Sequence, residues 1–72
     1  MTPEELKVLK KQASKAKRIA TEKAGELHDL VEDRLPAAYE DLPAMAEECY
    51  AACQEWAKAN AEYQAAEATV TE

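Results

Sequence analysis

The sequence predicts an all-α protein: an antiparallel two-helix hairpin that dimerises into a four-helix bundle. Three observations lead to this prediction. Both halves of the chain carry long ladders of apolar or small residues at helical spacing, a short segment containing Pro36 separates them, and the two halves carry opposite charge. Each ladder is too narrow to form a finished core, so the hairpin is expected to pair with a second copy.

The ladders follow the three-and-four spacing of a coiled-coil seam, the a and d positions of a seven-residue repeat. The first ladder is Leu6, Leu9, Ala13, Ala16, Ala20, Lys23, Leu27 and Leu30. The second is Leu42, Met45, Cys49, Ala52, Trp56, Ala59, Tyr63, Ala66 and Val70. Flanking residues widen both stripes: Ile19, Val31, Ala46, Cys53 and Asn60.

The 72 residues form a single domain with well-marked boundaries. Helix 1 is predicted over about 3–32, the turn over about 33–41 and helix 2 over about 42–68. Thr2 and Glu5 form a capping box, and Pro3 stands at the first helical position, where its missing donor costs nothing. Asp41, or a residue beside it, is the expected cap of helix 2, with Pro43 in its first turn.

Gly25 is a poor helix former inside helix 1. We expect it to allow close approach of a bulky neighbour such as Trp56, and a local bend is the alternative.

Charge is distributed unevenly along the chain. Residues 7–23 hold seven basic residues and one acid, whereas residues 26–72 hold two basic residues and twelve acids. An antiparallel hairpin lays the basic half of helix 1 beside Glu55, Glu62 and Glu67 of helix 2, which favours that pairing.

Composition excludes several classes of protein. With two cysteines and one glycine the chain does not resemble a disulfide-stapled secreted scaffold. It opens without a signal-peptide pattern and has no apolar run long enough to cross a bilayer, so the cytoplasm is the predicted location. No catalytic triad pattern or glycine-rich phosphate loop is present, and we predict that the protein is not an enzyme and uses no cofactor.

Cys49 and Cys53 are four residues apart, which is one helical turn and not the spacing of a zinc knuckle. We interpret both as packing residues, and a metal or cluster carrier is the alternative. His28 and Glu32 share an outer helix face beside Asp29, where surface placement or partner contact is expected and a metal site is not predicted.

A continuous outer stripe of cations on helix 1 comprises Lys7, Lys11, Lys15 and Arg18. Such a stripe suits phosphate, so an RNA-binding hairpin dimer is an alternative function. Because the protein is acidic overall and no aromatic residue interleaves with the stripe, a solvated or protein-docking face is the favoured interpretation, and nucleic acid is not the expected partner.

Tyr39 and Tyr50 lie off the ladders, near the turn. They either clamp the turn around Leu35 and Pro36 or form an aromatic binding surface beside a cluster of acids.

A longer motif spans the hairpin end. It reads Glu26-Leu27-His28-Asp29-Leu30-Val31-Glu32, then Leu35-Pro36, Tyr39-Glu40 and Pro43, then Ala46 and Tyr50. This pattern resembles the small nitrogen-fixation-associated proteins of unknown function encoded beside NifX-type genes. The resemblance implies a homodimer of helical hairpins that binds a nitrogenase component or a cofactor-assembly protein, in maturation or protection.

The expected function is therefore that of a non-enzymatic accessory protein of nitrogen fixation. Its partner-binding residues are predicted at the turn end, with apolar anchors and polar groups that set specificity. They are His28, Asp29, Glu32, Leu35, Tyr39, Glu40 and Tyr50.

Overall fold

The computed structural model describes residues 2–70, with side chains for 2–69, and folds them into a helical hairpin. Helix α1 spans Pro3–Asp29 and helix α2 spans Leu42–Val70. A π-helical segment, Leu30–Arg34, continues α1, and a 3₁₀ turn, Tyr39–Asp41, leads into α2. The described residues contain no strand, so the predicted all-α hairpin is confirmed.

The start of α1 is fixed by its cap. The backbone N–H of Glu5 donates to the Thr2 hydroxyl oxygen at 3.2 Å, and that hydroxyl donates to the Glu5 carboxylate at the same distance. Pro3 occupies the first turn, where its fixed φ suits a helix and no donor is lost. Glu4 and Glu5 add negative charge where the helix dipole favours it.

Helical structure ends at the proline. Leu35 is extended, with φ −85° and ψ 149°, because the ring of Pro36 disfavours helical geometry at the preceding residue. The Leu35 amide donates to the Leu30 carbonyl at 3.1 Å, which closes the last π-type turn.

Burial follows the two predicted ladders. Every ladder residue whose side chain is described is buried or half-buried, whereas nearly all other residues are exposed. Leu30 has no exposed surface and is the most buried residue, while Ala13 and Ala66 retain 7% and 6% exposure. Val70, the last member of the second ladder, has its side chain outside the described residues. The seam between the helices therefore forms the core.

Gly25 does not provide the close contact between the helices that was predicted for it. A Cβ atom built at this position would meet nothing within 4 Å, and the residue is exposed. The predicted close approach of Trp56 is wrong, because Gly25 lies midway between ladder positions Lys23 and Leu27 and so faces away from α2.

The hairpin is long and thin. It measures 55 × 14 × 14 Å, with a radius of gyration of 16.2 Å, whereas a compact chain of this length has a radius of about 11 Å. None of the helices among the described residues combines the length and the apolar character needed to cross a bilayer.

Candidate functional site

The seven predicted site residues lie at one end of the hairpin. His28 and Asp29 end α1, Glu32 lies in the π-helical segment, and Tyr50 lies in α2 about two turns from its start. Leu35 is half-buried and the other six are exposed. We call this set the hairpin-end surface: His28, Asp29, Glu32, Leu35, Tyr39, Glu40 and Tyr50.

His28 and Glu32 form the polar pair of this surface. The His28 Nε2 atom lies 2.8 Å from Glu32 Oε2, one turn further along the helical path. Their side chains remain 66% and 63% exposed. The pair therefore stays accessible to a partner, and because both side chains are largely exposed it adds little to stability.

Arg34 and Asp41 brace the loop that carries Tyr39 and Glu40. The Arg34 guanidinium donates to the Asp41 carboxylate at 2.7 Å. Behind this pair, the Ala38 amide donates to the Arg34 carbonyl at 2.8 Å and the Asp41 amide to the Ala38 carbonyl at 3.0 Å. The predicted cap residue Asp41 thus has its carboxylate engaged by Arg34.

Two tyrosines provide the aromatic part of the surface. Tyr39 and Tyr50 are each 65% exposed, so neither packs as a clamp over the turn. Val31, in the π-helical segment, is 54% exposed and lies on the flank predicted to widen the seam. Arg34 was not among the residues predicted for this surface. The seven-residue separation of Arg34 from Asp41 across a proline was the available signal for their pairing.

The two cysteines lie one turn apart on α2, both as free thiols, and the predicted packing role holds for Cys49 but not for Cys53 in the single hairpin. Cys49 is half-buried in the seam, and Cys53 is exposed. Partial burial raises the pKa of the Cys49 thiol, and the neighbouring Cys53 thiol raises it further. Within residues 2–70, no group of three or more His, Cys, Asp or Glu side chains is arranged to hold a metal ion.

The basic stripe remains open on the outside of α1. Lys11, Lys15 and Arg18, together with Ser14, line a shallow groove of about 420 Å³. Among the described residues, no cation of the stripe lies within 4.0 Å of a carboxylate. Lys15 and Glu55 line one groove, as the charge pattern predicted, but among the described residues Glu55, Glu62 and Glu67 form no ion pair within 4.0 Å. Glu67 accepts instead from the Tyr63 hydroxyl at 3.0 Å.

Comparison with known proteins tests the resemblance to the NifX-associated family. The chain matches no curated protein and no solved structure. The model of the Rop-like family matches residues 4–68. Rop-like proteins are non-catalytic helical hairpins that form dimeric bundles, and Rop itself is a plasmid copy-number protein.

The resemblance to nitrogen-fixation-associated proteins is therefore wrong. Part of its motif has a structural explanation that is independent of any such function. Leu27 and Leu30 belong to the seam, and Pro36 ends the helical path, so packing and chain reversal account for them. The match to the family model extends instead along both helices, and the chain belongs to the Rop-like family.

Proposed function

We propose that this protein is a non-enzymatic, homodimeric binding protein: two hairpins pair into a four-helix bundle whose exposed ends bind another protein. The observation that carries the proposal is the incomplete burial of the seam. Ala13, Leu30 and Ala66 are the buried hydrophobic residues of the described part, while Trp56, Tyr63 and the other ladder side chains are half-exposed.

Surface area supports the dimer. The single chain exposes 5468 Å², whereas a folded monomer of its 8.0 kDa mass exposes about 4,450 Å². The excess of about 1,000 Å² is comparable to the roughly 800 Å² that each partner buries in a standard interface.

Charge and aromatic exposure support a protein partner at the hairpin end. Residues 26–50 hold eight carboxylates and one arginine, which gives a net charge of −7 with His28 neutral. The exposed rings of Tyr39 and Tyr50 lie within this acidic segment. Aromatic anchors inside a charged rim are typical of protein interfaces. A partner with a basic surface and an apolar pocket matches this end.

Nitrogenase as the partner remains an untested prediction, and the resemblance on which it rested is wrong. The cytoplasmic location likewise remains a prediction. The metal-carrier alternative gains no support from the geometry, because residues 2–70 contain no group of three or more His, Cys, Asp or Glu side chains arranged to hold a metal ion.

The test compares wild-type protein with Tyr39→Ala and Tyr50→Ala variants as tagged bait, read by mass spectrometry. Val8→Ala is the matched control, since Val8 is 53% exposed and lies far from the turn. A partner recovered by wild type and the control should lose affinity about 30-fold in the tyrosine variants, as expected for a hot spot worth about 2 kcal/mol. Equal recovery by all four baits would exclude the hairpin end.

A second candidate function is binding of RNA along the basic stripe, favoured by the unpaired cations around the groove of Lys11, Lys15 and Arg18. Binding of a fluorescent RNA hairpin should then weaken steeply with salt, because phosphate contacts release counterions. Lys11→Gln and Lys15→Gln should each reduce the salt dependence, whereas Lys58→Gln on α2 should not. Failure to bind RNA even at low salt would rule this function out.

A further inference from the structure

Two long faces flank the seam, and they differ in chemistry. On one side a groove of about 180 Å³ is lined in part by Ala13, Trp56 and Tyr63, with Lys10, Lys17 and Asn60 at its edge. On the other side a groove of about 250 Å³ is lined by the apolar side chains of Ala16, Ile19 and Ala52 and by the polar ones of Gln12, Lys15 and Glu55. We call these the Trp56 face and the Glu55 face.

The flank beside the Trp56 face is apolar toward the hairpin end. It consists of the residues that follow each d position: Lys10, Lys17, Ala24, Val31, Ala46, Cys53, Asn60 and Glu67. Four of these, Ala24, Val31, Ala46 and Cys53, are apolar and exposed in the single hairpin. These exposed apolar side chains, with the half-buried rings of Trp56 and Tyr63 further along the same face, form a surface that water solvates poorly.

The flank beside the Glu55 face is acidic. It consists of the residues that precede each a position in the described helices, apart from the last turn: Glu5, Gln12, Ile19, Glu26, Glu48, Glu55 and Glu62. These seven positions hold five carboxylates, of which Glu26 and Glu48 pair with Lys23 from the seam. Lys15 and Lys58 line the grooves beside Glu55. A two-fold contact brings the same patch of both copies together, so a dimer built on this flank would desolvate its charged side chains.

We infer that the second copy covers the Trp56 face, so that Ala24, Val31, Ala46 and Cys53 become buried between the two hairpins. This inference rests on the proposed dimer and specifies which side of each hairpin forms the dimer interface. The Glu55 face then forms the solvent-exposed side of each hairpin, where its carboxylates keep their hydration. The exposed Cys53 thiol becomes a reporter of assembly, because it is accessible in the monomer and covered in the dimer.

Substitutions on the two faces test the inference. Ala46→Asp places a carboxylate in the inferred interface, and Ile19→Asp places one on the Glu55 face, where Ile19 is 37% exposed. In sedimentation-equilibrium measurements, Ala46→Asp should weaken dimerisation at least 30-fold, while Ile19→Asp should leave it within threefold of wild type. Dimer loss in Ile19→Asp with retention in Ala46→Asp would overturn the choice of face.

Thiol labelling of Cys53 measures burial of the same face and does not require the Ala46→Asp protein to fold. The Cys49→Ser protein leaves Cys53 as the single thiol to be labelled with a maleimide. Labelling should be at least tenfold slower at protein concentrations where sedimentation shows a dimer than at lower concentrations where the protein is monomeric. Equally fast labelling of monomer and dimer would contradict the inference while leaving the dimer intact. A wild-type chain that is monomeric at every concentration would instead contradict the proposed dimer itself.

Discussion

The Lys23 ammonium lies 3.1 Å from the Glu48 carboxylate, which ties α1 to α2 at a position the seven-residue repeat assigns to the seam. Lys23 also lies 3.9 Å from Glu26 on its own helix. A charged residue at a seam position restricts the allowed register, since a shifted pairing would leave the charge without its partner. The pair thus contributes to the choice of alignment more than to stability.

Replacing Lys23 with leucine should therefore stabilise the hairpin by about 1 kcal/mol, because an apolar side chain in the seam gains more than a partly exposed ion pair provides. Urea denaturation followed by circular dichroism measures the change. Lys11→Leu is the matched control, as Lys11 is exposed and outside the seam, and it should change stability by less than about 0.5 kcal/mol. A destabilised Lys23→Leu protein would show that the ion pair dominates.

Gly25→Ala should stabilise the protein by up to about 1 kcal/mol, since alanine loses less backbone entropy in a helix. The open space around Gly25 leaves room for the added methyl group. The reverse change at an exposed site of α2, Ala57→Gly, should cost a similar amount. If Gly25→Ala is destabilising, a contact absent from the single hairpin must cover this position.

Leu30→Ala should cost about 2–5 kcal/mol, because Leu30 is fully buried where α1 meets the turn. That loss is large for a domain of this size, so the urea midpoint should fall markedly or the helical signal should disappear. Val8→Ala removes an apolar side chain that is 53% exposed, and the variant should behave as wild type. A mild effect of Leu30→Ala would mean that the turn region repacks around the cavity.

Alkaline pH should destabilise the hairpin. The hydrogen bond to Glu48, with the charge of Glu26, raises the pKa of Lys23, and the hydrogen bond to Glu67 raises the pKa of Tyr63. Burial raises the pKa of Cys49. In each case the folded state holds its proton more tightly than the unfolded state, so the stabilisation is present below the unfolded pKa and lost as pH rises through the folded pKa.

Urea midpoints should accordingly be flat near pH 7 and begin to fall above the ordinary cysteine pKa of about 8.5, because the unfolded chain releases its thiol protons first. Tyr63→Phe should reduce the fall above about pH 10 without altering it at lower pH. Stability that rises between pH 9 and 11 would contradict the direction of all three shifts.

Much of the fold could be predicted from the sequence because helical burial is a local periodic property. Spacings of three and four residues place Leu6 through Leu30 on one stripe in any α-helix, and the described members of both ladders are indeed the shielded ones. The helix cap at Thr2 and the end of helical structure before Pro36 could also be predicted, since both depend on backbone groups a few residues away in the chain. These features followed from residue order alone.

The tertiary structure decided the features that depend on which distant atoms meet. In the folded hairpin Lys23 pairs with Glu48, and Arg34 pairs with Asp41. Gly25 has open space around it, and Tyr39 and Tyr50 are both exposed. The sequence by itself determined the two apolar stripes and the hairpin, because periodicity fixes which way each residue faces along a helix. Contacts between helices also depend on axial offset and on the path of the turn, and one-dimensional spacing contains neither.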